Sequence, residues 1–196
     1  MNLDFDICLL GERGLVQKYE IQSWALPDFK EAVLKTQRII GETDAWPACF
    51  AENHDLPRSI PTYVTNDPPH RAKAGRLTAL FLATLSGTLF LYQRQKISMT
   101  NFSLGWVLDK ICNVDALNYR TKMNKEYPTD TEMLREVKTA IAKFGRDNAR
   151  TPMRWSGSKL HAGFTAAQGP WVSMNENYKE VNVEVELKAD EGVSRM

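Results

Sequence analysis

The alternation of apolar and polar positions changes period several times along this chain, and each change marks an element. LDFDICLL (3–10) is a short apolar run that predicts a strand, ended by Gly11 and Gly14. LPDFKEAVLKTQRIIG (26–41) places Phe29, Val33 and Ile40 on one helical face, with Pro27 in the first turn and Gly41 where a C-cap belongs. PACF (47–50) predicts a second short strand, which runs directly into a polar cluster. RAKAGRLTALFLATLSG (71–87) follows Pro68-Pro69 and predicts a helix closing at Gly87. It is apolar on most of its surface, so burial on several sides is expected. TLFLYQ (88–93) predicts a third strand. Strands alternating with helices of this length predict βα units, a parallel sheet and an α/β fold.

Beyond this point the pattern loosens. Residues 97–128 read as loop, with scattered Asn, Tyr and Trp. TDTEMLREVKTAIAKFG (129–145) then predicts a helix with Leu134, Val137, Ile141 and Phe144 on one side and Thr129 and Glu132 spaced for a capping box. VNVEVEL (181–187) alternates with period two, which in isolation predicts a strand.

Composition narrows the class. The 196 residues are 43% hydrophobic and 25% charged, and they contain no repeat or low-complexity segment, as expected of one globular domain. A formal charge of +1 gives no reason to expect nucleic acid or a charged membrane surface as a partner. Cys8, Cys49 and Cys112 are widely spaced and outside any metal-ligand pattern, which favours reduced thiols over a disulfide framework or zinc site. No metal or organic cofactor is implied. The start MNLDFDICLL carries acids where a secretion signal carries Lys or Arg, and Leu77–Leu85 is too short and interrupted to span a bilayer. A cytoplasmic location is therefore expected.

Two clusters could carry chemistry. Glu52, Asn53, His54 and Asp55 follow PACF at once, and reactive groups in parallel α/β folds lie at the C-terminal ends of strands. Asp beside His can bind sugar hydroxyls or hold a developing positive charge; alternatively the four residues form a solvated loop. In RDNARTPMRW (146–155), Arg146 and Arg150 flank Asp147 and Asn148. Guanidinium forks suit carboxylates, phosphates or vicinal hydroxyls, and the competing reading is an Arg–Asp salt bridge bracing a loop. Trp155 and Trp171 are either sugar-stacking platforms or packed aromatics, and His70 and His161 read as structural or solvated. The absence of GxSxG, P-loop, GxGxxG and HExxH patterns counts against those hydrolase types and against nucleotide binding.

Taken together, FAENHDLPRS (50–59), SGTLFLYQRQKISMTN (86–101), RDNARTPMRW, HAGFT (161–165) and PWVSMNENYKEVNV (170–183) resemble, in order, conserved stretches of the α-amylase superfamily. Within it they are most similar to α-glucosidases of the maltase and oligo-1,6-glucosidase type. The resemblance implies a (β/α)8 TIM barrel that hydrolyses α-glucosidic bonds with retention, through a carboxylate nucleophile and an acid/base carboxyl. It places LDFDICLL, PACF and TLFLYQ at barrel strands 6–8. Residues 1–196 then read as one incomplete catalytic domain, with no linker or second domain. Asp55 matches the third carboxylate, which stabilises the transition state; His54 and Arg146 match substrate-binding residues. The nucleophile and acid/base of the family follow its fourth and fifth strands and are matched by no residue of this chain.

Two departures stand out. The family pattern Tyr-Gln-Gly-Gln-Glu is replaced by Tyr92-Gln93-Arg94-Gln95-Lys96, placing cations that could block or repurpose the pocket, and Arg154 stands where Gln is usual. The family also puts VNV in a loop, against its period of two. The resemblance leaves two expectations: an α-glucosidase-type chain inactive by itself, with an α-glucoside oligosaccharide as family substrate, or a non-enzymatic remnant that binds carbohydrate weakly or associates with another chain through open barrel edges.

Overall fold

The structure, a computed structural model, describes residues 18–65, 67–103, 105 and 110–189. The strand expected at 3–10 lies outside the described residues. Helix α1 (Leu26–Glu42) forms as its pattern predicts, with Pro27 in the first turn and the Asp28 carboxylate accepting from the Ala25 amide at 2.7 Å. It runs past Gly41 to a cap at Thr43, so that glycine does not end it.

Strands β1 (Ala48–Cys49) and β2 (Thr88–Leu89) pair in parallel, Ala48 opposite Thr88 and Cys49 opposite Leu89. The ladder is shorter than PACF and TLFLYQ suggested. Helix α2 (Arg71–Ala83) lies in the connection between the two strands, giving a βαβ unit. Gly87 is the hinge into β2, not the end of α2, which caps at Thr84. Its φ of +138° and the 2.8 Å between an added Cβ and the Pro47 carbonyl oxygen both demand glycine.

Helix α2 corrects a second expectation. Its buried positions are the small or slender Ala74, Gly75 and Thr78 with Leu82, whereas Leu77 and Leu80 are more than half exposed. Uniform apolarity along α2 therefore does not translate into burial on several sides among the described residues.

Helix α3 (Val114–Glu126) occupies part of the stretch that reads as loop. The Asn113 side chain caps it, accepting from the Ala116 amide at 3.0 Å, and Ala116 is its one fully buried side chain. So polar a helix forms because it packs on helix α4 (Thr131–Phe144). There Tyr119 and Met123 lie on a core of Phe102, Ile111, Val137, Ala140, Ile141 and Phe144. Helix α4 buries the predicted face, but its cap is Asp130, whose carboxylate accepts from Met133 at 3.0 Å; Glu132 instead pairs with Arg135. Within VNVEVEL, Val181 and Asn182 lie in a bend, where the resemblance puts a loop, and Val183–Lys188 form a short helix capped by the Asn182 side chain. Its period-two pattern loses to that local cap.

One buried ion pair joins the pieces. Arg58 is completely buried, and its Nη1 donates to Glu52 Oε2 at 2.8 Å and to the Gln93 carbonyl at 3.1 Å. Its Nε and Nη2 donate to the carbonyls of Asn148 (3.2 Å) and Ala149 (2.9 Å). Glu52 Oε1 takes the Ser59 amide and hydroxyl at 2.9 and 2.7 Å. All three guanidinium nitrogens therefore have an acceptor, which is the condition for burying such a pair.

Removing one partner strands the other. Glu52→Ala is expected to lower stability by about 3–5 kcal/mol in urea denaturation, well beyond an exposed Glu→Ala control. Gly87→Ala should cost about 1–3 kcal/mol in the same assay, because the backbone and the Pro47 contact both resist a side chain.

Candidate active site

The loop after β1 alternates burial in a way that presents its centre. Phe50, Ala51 and Glu52 are buried, Asn53 and Asp55 are half-buried, His54 is exposed, and Leu56 to Ile60 are buried again. Asn53 folds the tip by accepting the Asp55 amide on its side-chain oxygen at 2.8 Å. His54 and Asp55 are thus held out at the C-terminal end of β1, while Glu52, though adjacent in sequence, turns inward to Arg58.

The second predicted cluster meets this tip. Helix α5 (Asp147–Arg150) is one turn long, and Arg146 and Arg150, four residues apart, project from the same side. Arg150 Nη2 donates to Asp55 Oδ1 at 3.0 Å and its Nε to the His54 carbonyl at 3.1 Å. Arg146 Nε lies 3.4 Å from the same Asp55 oxygen, and its Nη1 lies 3.2 Å from Asp115 Oδ2 in the first turn of α3. His54 Nε2 is 3.5 Å from Asp55 Oδ2, and Lys18 donates to the Asp55 carbonyl at 2.9 Å. Asp55, His54 and Arg146, which lie up to 92 positions apart in sequence, therefore converge on one partly exposed carboxylate.

The polar residues between the two arginines have a different task. Asp147 is not paired with either arginine: its carboxylate accepts the amides of Cys112 and Asn113, both at 3.1 Å. Asn148 accepts the Phe102 amide at 3.0 Å and donates to the Ala142 carbonyl at 2.9 Å. These bonds fix α5 against Phe102, Cys112, Asn113 and the Ala142 carbonyl of α4, which in turn aims the arginines. The salt bridge suggested within RDNARTP is replaced by an ion pair to Asp55. Arg150 stood in the predicted cluster but was given no site role of its own, and Asp115 was missed in the sequence. The spacing of Arg150 four positions after Arg146 was an available signal, whereas Asp115 sat in an unrecognised helix.

Arg94 does not block this site. It sits at φ +76°, a left-handed backbone conformation suited to glycine, and its side chain turns inward to donate to the Ala149 carbonyl at 2.8 Å. Burial, and then the neighbouring Arg58 charge, push its guanidinium down to about 10. Lys96 is exposed beside an apolar cavity of about 460 Å³ that Leu80, Leu89 and Leu91 also line. Trp155 and Trp171 are exposed on the later loops, and no described contact ties either to Asp55. His70 pairs with Asp67 at the surface, 2.6 Å away.

The geometry thus holds one partly exposed carboxylate between two guanidinium groups and an imidazole, at the end of a parallel strand. Comparison with known proteins assigns the chain to a family. The family described as "Alpha amylase, catalytic domain" matches residues 1–196, and the chain belongs to that family.

The chain is 34% identical over 183 residues to an alpha-glucosidase of Candida albicans, covering 92% of this chain and 32% of that protein. It is 37% identical over 171 residues to an oligo-1,6-glucosidase of Parageobacillus thermoglucosidasius, covering 87% of this chain and 29% of that protein. The isomaltulose synthase of Erwinia rhapontici superposes with a TM-score of 0.86 at 29% identity, over 99% of this chain and 34% of that one. Trehalose-6-phosphate hydrolase of Bacillus licheniformis superposes at 0.85 and 27% identity, over 98% of this chain and 33% of its own. The chain thus spans about a third of the length of these relatives.

The Arg94 backbone yields a test. Arg94→Gly removes a left-handed non-glycine residue and a buried cation, while the Ala149 carbonyl keeps Arg58 and Tyr92 as donors. Stability is expected to rise by about 1 kcal/mol, read as a higher urea midpoint with an unchanged slope.

Proposed function

We propose that this chain carries the sugar-recognition side of the −1 subsite of a retaining α-glucosidase, acting on terminal α-linked glucose of maltose- or isomaltose-type oligosaccharides. The convergence of His54 and Arg146 on Asp55 at the end of β1 carries this reading. Asp55 is the carboxylate that accepts glucose hydroxyls and favours the oxocarbenium-like transition state. His54 shares those hydroxyls, and Arg146, fixed by Asp115, orients the glucose and Asp55 together. In this reading β1 and β2 correspond to strands 7 and 8 of a (β/α)8 barrel, and the surroundings are those of a cytoplasmic sugar-processing protein.

Double displacement needs two carboxyl groups about 5–5.5 Å apart across the scissile bond. Around this site Glu52 is committed to Arg58 and Ser59, and Asp115 reaches Asp55 only through Arg146. Neither can serve as a nucleophile or acid. These 196 residues expressed alone are therefore expected to release no glucose from maltose, isomaltose or an aryl α-glucoside, since such losses cost several powers of ten in rate.

A chimera separates recognition from catalysis. With this chain replacing the matching third of the Parageobacillus oligo-1,6-glucosidase, α-glucosidase turnover is expected. Asp55→Asn in the chimera should then cut kcat/KM by about a thousandfold or more. Turnover by the isolated chain, or a chimera indifferent to Asp55→Asn, would refute the assignment.

A second reading, association with another chain, is favoured by the exposed Leu77, Leu80, Phe90 and Leu91 around the short parallel ladder. It predicts an oligomer by sedimentation at micromolar concentration; a monomer that does not bind a hydrophobic dye would count against it.

A further inference from the structure

Two guanidinium groups meet the same oxygen of Asp55, but they meet it differently. Arg150 Nη2 donates to Oδ1 at 3.0 Å, and Nε of the same fork donates to the His54 carbonyl at 3.1 Å. Arg146 Nε lies 3.4 Å from Oδ1, buried and without a hydrogen-bond acceptor among the described residues, while its Nη1 lies 3.2 Å from Asp115. Arg146 is therefore a neighbouring charge, and Arg150 is the hydrogen-bond donor. The second oxygen, Oδ2, meets only His54 Nε2 among the described residues, at 3.5 Å.

The Arg150 fork ties a backbone carbonyl to the side chain of the next residue, so the Asp55 carboxylate is oriented against its own main chain. A planar guanidinium holds two acceptors in one fixed arrangement, which an ammonium on a flexible stem does not. The base of the fork is fixed as well. The carbonyls of the two residues before Arg150 accept from buried Arg58. Thr151, the residue after it, is completely buried and donates its hydroxyl to the Asn148 carbonyl at 3.3 Å. Asp55 is thus held by one oxygen and presented by the other.

We propose that Arg150 is the positioning residue of this site: by bridging the His54 carbonyl and Asp55 Oδ1, it turns Oδ2 to the hydroxyls of the sugar. The proposal rests on the reading of Asp55 as a sugar ligand. Arg150 acts through Asp55 and not on the substrate. Without it the carboxylate spreads over its rotamers, and the fraction poised for the transition state falls.

The chimera with the Parageobacillus oligo-1,6-glucosidase tests this role. Arg150→Ala is expected to lower kcat by about a hundredfold while KM moves less than about threefold. Guanidinium chloride at tens of millimolar, far below unfolding concentrations, should restore a measurable part of the lost kcat, and sodium chloride at equal ionic strength should not. Arg150→Lys keeps the charge but cannot span both acceptors, so it should recover little, and it tests the role separately from Arg150→Ala. In the isolated chain the urea midpoints of both variants should lie within about 0.5 M of the parent, because the ion pair is partly exposed. Unchanged kcat in Arg150→Ala, full activity in Arg150→Lys, or a loss that guanidinium does not restore would overturn the positioning role alone. A chimera without turnover, or one indifferent to Asp55→Asn, would overturn it together with the sugar-ligand reading.

Discussion

The Glu52–Arg58 pair is the constraint on which the rest depends. Arg58 reaches from the loop after β1 to the carbonyl of Gln93 beyond β2 and to two carbonyls of α5. It therefore fixes, in one buried side chain, the three segments that build the site. A buried charge tolerates few geometries, because any shift that loses a partner exposes it to the full desolvation penalty. That intolerance gives the exposed tip between Glu52 and Arg58 a defined shape. The tip presents His54 and Asp55, and α5, secured by the same guanidinium, presents Arg146 and Arg150 to them.

Function is thus divided between residues that look alike in the sequence. Within Glu52-Asn53-His54-Asp55, the first carboxylate is structural, the amide shapes the turn, and only the last two residues face outward. Within Arg146-Asp147-Asn148-Ala149-Arg150, the arginines reach the site while Asp147 and Asn148 spend their hydrogen bonds on backbone amides and a carbonyl. Such a division keeps the Asp55 carboxylate oriented without requiring it to support the fold, which suits the sugar-binding role proposed for it.

The sequence made the amphipathic elements legible and left those dictated by tertiary contact obscure. Helices α1 and α4 declare themselves through an apolar stripe, and α4 buries the stripe it shows. Helix α3 does not, because its stability comes from a cap at Asn113 and from two side chains resting on a neighbouring core. VNVEVEL was misleading since alternation over a few residues yields to a strong local cap. The pairing of Glu52 with Arg58 was invisible because it depends on the turn between them, whereas the motif order that marks the family was plain. Arg94 shows the converse: where the family pattern has glycine, the backbone keeps its positive φ and the arginine folds inward.

The central claim is that Asp55 and His54 are sugar ligands. Its most direct test is a crystal structure of the chimera with the matching oligo-1,6-glucosidase segment, soaked with glucose. The account predicts glucose at the end of β1, with an Asp55 carboxylate oxygen and His54 Nε2 each within hydrogen-bond distance of its hydroxyls and Arg146 still beside Asp55. Glucose bound in the same barrel, but with Asp55 turned away from it and occupied by Arg146 and Arg150 alone, would contradict it.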